Sequence, residues 1–266
     1  MFEIFQYSFM IRAFLAGLMI AMIAPLIGNF LVVRRFSLIA DTLSHVALVG
    51  VALGLMLKTQ PLVVTIIVTT ITAIAIERLR SSKNIPAEAV LAMFLPAGLA
   101  LSIVLIGIAN GFNANLFSYL FGSITTVTAT DLWLTLGLGI LTLLVVIIFY
   151  KKLLFSSFDE ESARVSGIRV DLINNILMIL TAITVSLSMR VVGVLLIGAL
   201  MVIPVITGMQ FAKSFLQGIY YSLGFALVAV VFGLYLSYYL NLPAGGTIVL
   251  LSLAIFGLVV FLKRNR

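Results

Sequence analysis

The stretch LIADTLSHVALVG, residues 38–50, lies within an apolar run and carries an aspartate and the only histidine of the chain. Asp41 and His45 are four residues apart, so on a helix their side chains share one face, with Cβ atoms about 6 Å apart. A charged side chain at the centre of a membrane-spanning helix costs about 2.5–3.5 kcal/mol on insertion scales. The pair therefore needs a partner, a cavity or a cation.

The composition requires lipid as the solvent for most of the surface. Of 266 residues, 63% are hydrophobic and only 9% are charged, against about 45–50% and about 25% in soluble domains. We expect an all-α polytopic membrane protein in which residues 1–266 form a single transmembrane domain. Apolar runs of about 20 residues predict eight or nine spans, near residues 10–33, 38–57, 60–77, 86–109, 131–150, 170–189, 192–211, 215–240 and 244–262. Of these, 60–77 and 192–211 are the candidates for a broken or re-entrant helix.

The basic residues predict the orientation of these spans. With nine spans, all 16 Lys and Arg residues fall on one side, except Arg12, Lys58 and Arg190. Because cytoplasmic loops are enriched in Lys and Arg, the C-terminus and the polar segment 151–171 are expected in the cytoplasm. The net charge of +7 does not indicate a nucleic-acid partner, since the basic residues are spread between the apolar runs and form no single patch.

Several kinds of chemistry have no sequence signature in this chain. Cysteine is absent, which excludes disulfides and thiolate metal ligands. No G-x-x-x-x-G-K-[ST] phosphate loop occurs, and neither H-E-x-x-H nor G-x-S-x-G is present. We therefore expect neither an ATPase nor a hydrolase, and no permanently bound cofactor.

Three interpretations of the Asp41–His45 pair remain open from spacing alone: a polar pair that fixes helix packing, a proton relay, or a metal site. Zn²⁺ accepts carboxylate and imidazole ligands, usually four in all. One chain supplies two of them, and two copies related by a two-fold axis would supply all four. Small residues on the same helix favour close helix contacts, namely Ala47, Gly50 and Gly54.

The segment SFDEESARVSGIRV, residues 157–170, predicts a short helix between two spans. Ser156 or Ser157 would cap its N-terminus, and the acidic residues would suit the helix dipole. Gly167 would end it in a left-handed conformation. Such a helix is either a surface connection or a docking element for a soluble partner.

Five stretches in order along the chain resemble the membrane permeases of bacterial zinc/manganese ABC importers (the metal-ion ABC-3 permease family). They are GNFLVVRRFSLIADTLSHVALVGVALG (28–54), YLFGSITTVTATDL (119–132), FDEESARVSGIRV (158–170), RVVGVLLIGALMVIP (190–204) and SYYLNLPAGGTIVL (237–250). The resemblance implies a homodimer in the bacterial inner membrane, with cytoplasmic ATP-binding subunits and an external metal-binding protein. It also implies that Asp41 and His45 form the membrane metal site. The coupling segment, at about 151–170, would contact the ATPase through Asp159, Glu160, Glu161, Ala163 and Gly167.

Within this family the quoted motifs look closer to the zinc branch than to the manganese branch. A further histidine that some zinc permeases carry is missing from residues 92–101. We expect zinc as the transported ion, with manganese or iron as alternatives. From other classes, a proton-coupled cation carrier or a non-transporting membrane scaffold would use the same pair. The loop NGFNAN, residues 110–115, is expected to form part of the surface that meets the metal-binding protein.

Overall fold

The computed structural model describes residues 6–82, 85–108 and 114–264, with the backbone alone at 114–117. The described part of the chain contains helices and no β-strand, which confirms the all-α prediction. Two 3₁₀ turns, Ile124–Thr126 and Val194–Leu196, accompany the α-helices. These are α1 Ser8–Val33, α2 Leu38–Met56, α3 Pro61–Ser81, α4 Ala87–Ile108, α5 Ala114–Phe121, α6 Ala129–Phe158, α7 Glu160–Val165, α8 Val170–Ser188, α9 Ile197–Met209, α10 Phe215–Leu240 and α11 Ala244–Arg264.

Eight of the helices in these ranges are long and apolar enough to cross a membrane. The predicted run 60–77 is one of them, α3, and is unbroken. The run 192–211 is divided: a 3₁₀ turn precedes α9, which has 13 residues and a length of about 20 Å. That is shorter than the roughly 30 Å of a bilayer core. The break follows Gly193, whose φ of +88° lies outside the helical region.

The spans differ in how far they are buried. The most buried are α1, α2 and α8, while α4, α6 and α11 are the least buried. On α6, Ile147 and Ile148 are 70% and 73% exposed. Exposed apolar surface of this kind suits lipid or another apolar partner. Because α2 is among the most buried spans, it belongs to the inner layer of the bundle.

Small residues set how closely α2 packs. A Cβ on Gly50 would lie 2.4 Å from the Cα of Thr65, and one on Gly54 would lie 2.6 Å from the Cα of Pro61. Ala47 on the same helix is fully buried. Since these contacts involve backbone atoms, any larger residue at either glycine forces α2 and α3 apart. The two helices form a tight hairpin that fixes the position of α2.

Helix ends converge around α7. The end of α1 contacts the end of α6 and the start of α8 through Arg34, which bonds Ser157 and Asn174. The end of α11 meets the chain between α9 and α10, where Lys263 donates to the carbonyl of Gln210. We call the side that carries Arg34 and α7 the α7 end of the bundle.

Candidate metal site and the α7 segment

Asp41 and His45 lie in the first two turns of α2, on one face of the helix as their spacing predicts. The closest approach is 4.0 Å, between Asp41 Oδ1 and His45 Nε2. This distance is too long for a hydrogen bond. The Asp41 side chain is 42% exposed and that of His45 is 13% exposed, so the carboxylate opens outward from the helix while the imidazole lies mostly within the bundle.

Glycines on two neighbouring helices allow close packing beside the pair. A Cβ on Gly198 of α9 would lie 3.4 Å from the Cβ of Asp41, and one on Gly98 of α4 would lie 3.0 Å from the backbone N of Val46. The pair therefore lies where α2, α4 and α9 come together, and both glycines leave room around it.

The polar atoms of the pair are incompletely satisfied. His45 Nδ1 is buried and has no hydrogen-bond partner among the described residues. The hydroxyl of Ser44 donates to the backbone carbonyl of Asp41 and not to its carboxylate. Buried polar atoms of proteins are nearly always paired, and His45 Nδ1 is one of six buried side-chain atoms without a partner among the described residues.

The described residues of one chain do not bring together a complete set of metal ligands. The described residues contain no group of three or more His, Cys, Asp and Glu side chains that could hold an ion together. Asp41 and His45 would provide two of the four ligands usual for Zn²⁺. Further ligands must come from water, from the backbone or from a second copy of the chain.

The α7 segment is a separate short helix whose ends are defined by specific residues. Asp159 is its N-cap and accepts from the backbone N–H of Ser162. Hydrogen bonds from the hydroxyl and backbone of Ser162 hold the pKa of Asp159 below its usual value. The prediction that Ser156 or Ser157 caps this helix is wrong, because α6 continues to Phe158 and buries both serines.

The end of α7 agrees with the prediction. Gly167 has φ +82°, and the N–H of Ile168 donates to the carbonyl of Ala163 at 3.0 Å, as in a Schellman motif. Ala163 is fully buried, whereas Val165 is 90% exposed, and Glu161 is also exposed. An apolar side chain this exposed, outside the spans, is available to a protein partner.

The family model "ABC 3 transport family" matches residues 6–263 of the chain. The chain belongs to the ABC-3 transport family. Two curated relatives are each 35% identical to it. The high-affinity zinc uptake system membrane protein ZnuB of Haemophilus influenzae aligns over 98% of this chain and 100% of its own. The manganese import system permease protein ScaB of Streptococcus gordonii aligns over 94% and 90%.

A solved structure is also similar to this ABC-3 protein. PsaBC from Streptococcus pneumoniae, in complex with Fab, superposes with a TM-score of 0.83 at 32% identity. The superposition covers 96% of this chain and 92% of that chain. Helix order and packing of the two proteins therefore agree along nearly the whole length.

A charged network at the α7 end of this ABC-3 chain was not predicted from the sequence. Arg34 donates to Ser156, Ser157 and the Asn174 side-chain oxygen, at 2.8, 3.1 and 2.7 Å. Arg34 is 6% exposed; burial lowers its pKa, and the Glu160 carboxylate opposes that shift. The sequence pattern marks Arg34 only as a basic residue in a loop, which does not indicate its distant partners.

A second polar cluster lies at the opposite end of the bundle. Asp131, 1% exposed, accepts from Gln60 at 3.0 Å and from the backbone N–H of Thr128 at 3.1 Å. Its other partner is Arg190, 3.3 Å away, whose guanidinium lies over the ring of Tyr119. The cluster joins α3, α5 and α6 to the chain that precedes α9.

The loop predicted to meet an external partner is NGFNAN. Residues 110–113 of this loop lie outside the described residues. The prediction therefore stays a prediction.

Proposed function

We propose that this chain is the permease subunit of an ATP-driven importer of a divalent transition metal, and that Asp41 and His45 bind the ion in transit. The observation that carries the proposal is the buried Nδ1 of His45, which has no described partner, beside a partly exposed carboxylate in a spanning helix. The ABC-3 membership and the relatives, named for zinc uptake and manganese import, support it.

A homodimer would complete the site. Two copies of α2 facing each other across a two-fold axis contribute two carboxylates and two imidazoles, the number of ligands that Zn²⁺ favours. The exposure of Asp41 gives the second copy a direction of approach. A site made at an interface between moving subunits binds and releases its ion more readily than a closed structural site.

Zinc is the proposed cargo. Imidazole and carboxylate together suit Zn²⁺, whereas Mn²⁺ prefers oxygen ligands. Manganese is the second candidate, because the ScaB relative is as similar to this chain as ZnuB is.

Transport would proceed by alternating access. An external metal-binding protein delivers the ion at the end opposite α7, and cytoplasmic ATP-binding subunits dock on α7. The exposed Val165 and Glu161 would contact the ATPase, with Asp159 and Gly167 defining the helix and Ala163 anchoring it. The bias of Lys and Arg toward the α7 end supports a cytoplasmic position for α7 and for the C-terminus.

Metal accumulation in importer-deficient cells tests the proposal. The cells would express the permease with its cognate ATPase and binding protein, take up limiting zinc and manganese together, and be analysed by mass spectrometry. We expect Asp41→Asn and His45→Gln each to lower uptake about tenfold or more, as losing a metal ligand should exceed the effect of losing its supporting partner. Thr42→Val is the control, since the Thr42 hydroxyl bonds only the backbone of its own helix.

The outcomes separate the alternatives. Loss of zinc uptake in membrane-inserted variants supports zinc, and loss of manganese uptake supports the same site with the other cargo. Uptake that needs no ATPase and collapses with the proton gradient would support a proton-coupled carrier. Unchanged uptake in both variants would reject Asp41 and His45 as ligands.

A further inference from the structure

The carboxylate of Glu160 on α7 is 36% exposed, at the edge of the bundle, and reaches partners on three other elements. Its Oε1 atom accepts from Arg80 Nη2 and from Asn174 Nδ2, both at 3.2 Å, and lies 3.8 Å from Arg34 Nη1. These partners belong to α3, α8 and the end of α1. One carboxylate oxygen therefore connects α7 to three other parts of the bundle.

The network around Glu160 is balanced in charge. Arg80 also forms a two-bond pair with Glu77, with both contacts at 2.8 Å, so two guanidinium groups face two carboxylates. Arg34 and Glu77 are 6% and 5% exposed. Arg80 and Glu160 are 22% and 36% exposed, so the network runs from a buried side to a solvated one. Removing the Glu160 charge leaves a net positive charge that is screened least at Arg34, where charge pairs interact more strongly than in water.

The charged network contacts the turn from α1 to α2 at two residues, Arg34 and Phe36. Arg34 lies immediately after α1, and the Arg80 guanidinium lies 5.6 Å from the centre of the Phe36 ring. Between them, Arg35 takes a left-handed φ of +56°, a conformation that L-residues seldom adopt and that neighbouring contacts must hold. The next helix begins at Leu38 and carries Asp41 in its first turn.

The remaining attachments of α7 leave it room to move. An open cavity of about 560 Å³ borders it, with Arg80, Glu161 and Asp171 among its lining residues. The other charged contact between α7 and α8, Arg164 with Asp171, is more than half exposed on both sides. Exposed ion pairs contribute little, so Glu160 is the main charged connection of α7 to the bundle.

We propose that Glu160 is the positioning residue that transmits movement of α7 to the α1–α2 turn, and through it to the helix that carries Asp41 and His45. This inference rests on the proposed function in one respect, because its first test measures zinc transport. When α7 shifts, Arg34 and Arg80 follow the carboxylate, and the start of α2 turns with them. The role differs from binding the ATPase, because the Glu160 carboxylate bonds within the permease itself.

The test measures transport and ATP hydrolysis in the same preparation. The complete complex of permease, ATPase and binding protein is reconstituted in vesicles, and zinc uptake is divided by ATP hydrolysed. For Glu160→Gln we expect an intact complex that still hydrolyses ATP, with zinc moved per ATP lowered about tenfold, within the usual range of coupling between sites. Asp171→Asn, with the same change of charge on the exposed pair, should match the wild type.

A distance measurement separates this inference from the proposed function. Since the chain lacks cysteine, spin labels attached to the purified permease go only to Leu38→Cys and Ser166→Cys. Assembly with an excess of unlabelled permease then gives the distance from the start of α2 to the end of α7 within one protomer. In the otherwise wild-type complex, ATP should change this distance; in Glu160→Gln the change should be lost. The ATP-dependent distance change can be measured even if the wild type moves no zinc. Absence of zinc transport would count against the proposed function and not against the role of Glu160.

Three results would overturn the role of Glu160. One is a wild-type ratio of zinc to ATP in Glu160→Gln. Another is loss of the ATPase subunits or an equal fall of both activities, which would make Glu160 a docking or folding residue. The last is an ATP-dependent distance change that persists in the variant.

Discussion

Replacing Asp131 with Asn should destabilise the end of the bundle opposite α7. The carboxylate is 1% exposed and accepts from Gln60 and from the backbone of Thr128, besides pairing with Arg190. Asparagine keeps the shape and one acceptor oxygen, so the hydrogen bond from Gln60 can persist. Asparagine removes the negative charge beside the Arg190 guanidinium, which is 13% exposed. It also removes the second acceptor oxygen, which takes the hydrogen bond from the Thr128 N–H.

The magnitude follows from the fate of Arg190. Breaking a buried ion pair by removing one partner costs about 3–5 kcal/mol. Arg190 keeps its position over the Tyr119 ring, 4.4 Å from the centre, and this cation–π contact, worth about 0.5–2 kcal/mol, limits the loss. We expect a decrease of about 3 kcal/mol in the free energy of unfolding, or about 6–12 °C in Tm at about 2–4 °C per kcal/mol.

A double-mutant cycle in detergent measures this directly. Far-UV circular dichroism follows helix loss for Asp131→Asn, Arg190→Met and the double variant, with Asp171→Asn as the exposed-pair control, which should shift stability by less than about 1 kcal/mol. The double variant should be more stable than the sum of the single changes predicts, by at least about 1 kcal/mol. Additive effects, or a wild-type Tm for Asp131→Asn, would refute the reasoning.

Three further changes test packing and the α7 segment. Gly50→Ala should cost about 1–3 kcal/mol of stability, because its Cβ would lie 2.4 Å from the Cα of Thr65. Gly137→Ala, with no described neighbour within 4 Å, should not lower thermal stability and should raise it by at most about 1 kcal/mol. Gly167→Ala, at φ +82° with open space around it, should destabilise the end of α7 by about 1–2 kcal/mol through backbone strain alone, seen as faster amide hydrogen exchange there. The lowered pKa of Asp159 means that its N-cap contribution is present above the unfolded pKa and lost as pH falls through the lower folded value, so a spin label on α7 should gain mobility below about pH 4. Asp159→Asn, which keeps a capping oxygen, should reduce that pH response.

Hydropathy predicted where the apolar helices lie but not which of them is broken. Runs 60–77 and 192–211 were both candidates for a break, yet α3 is continuous, whereas the second run is divided before α9. The difference depends on Gly193, where a Cβ would lie 2.5 Å from the backbone of Gly122. Hydrophobic periodicity reports on neighbours within one helix, so it cannot indicate a backbone contact between residues about 70 positions apart.

Local spacing predicted the candidate site better than its surroundings. The spacing of four residues from Asp41 to His45 was enough to place them on one face of α2, and Gly167 was enough to end α7. The caps at Ser156 and Ser157 were wrong because the end of α6 depends on Arg34, which binds both hydroxyls. In the sequence, Arg34 looked like an ordinary basic loop residue. The distribution of Lys and Arg predicts which side of the membrane a loop lies on, but not which side chains an arginine bonds.

The polar groups elsewhere in the bundle indicate what a structural pair looks like in this protein. Thr69 and Ser186 join α3 to α8 at 2.8 Å, and Asn29 donates to Ser222 at 2.7 Å across α1 and α10. Asp41 and His45 lie 4.0 Å apart, and Nδ1 of the imidazole has no described partner. Polar groups at membrane depth are costly unless satisfied. An unpaired atom alone does not distinguish the site, since Asn29 Oδ1 also has no described partner; the difference is that Asp41 and His45 form no hydrogen bond with each other. That open geometry is consistent with the proposed site, in which an ion and a second subunit would supply the missing contacts.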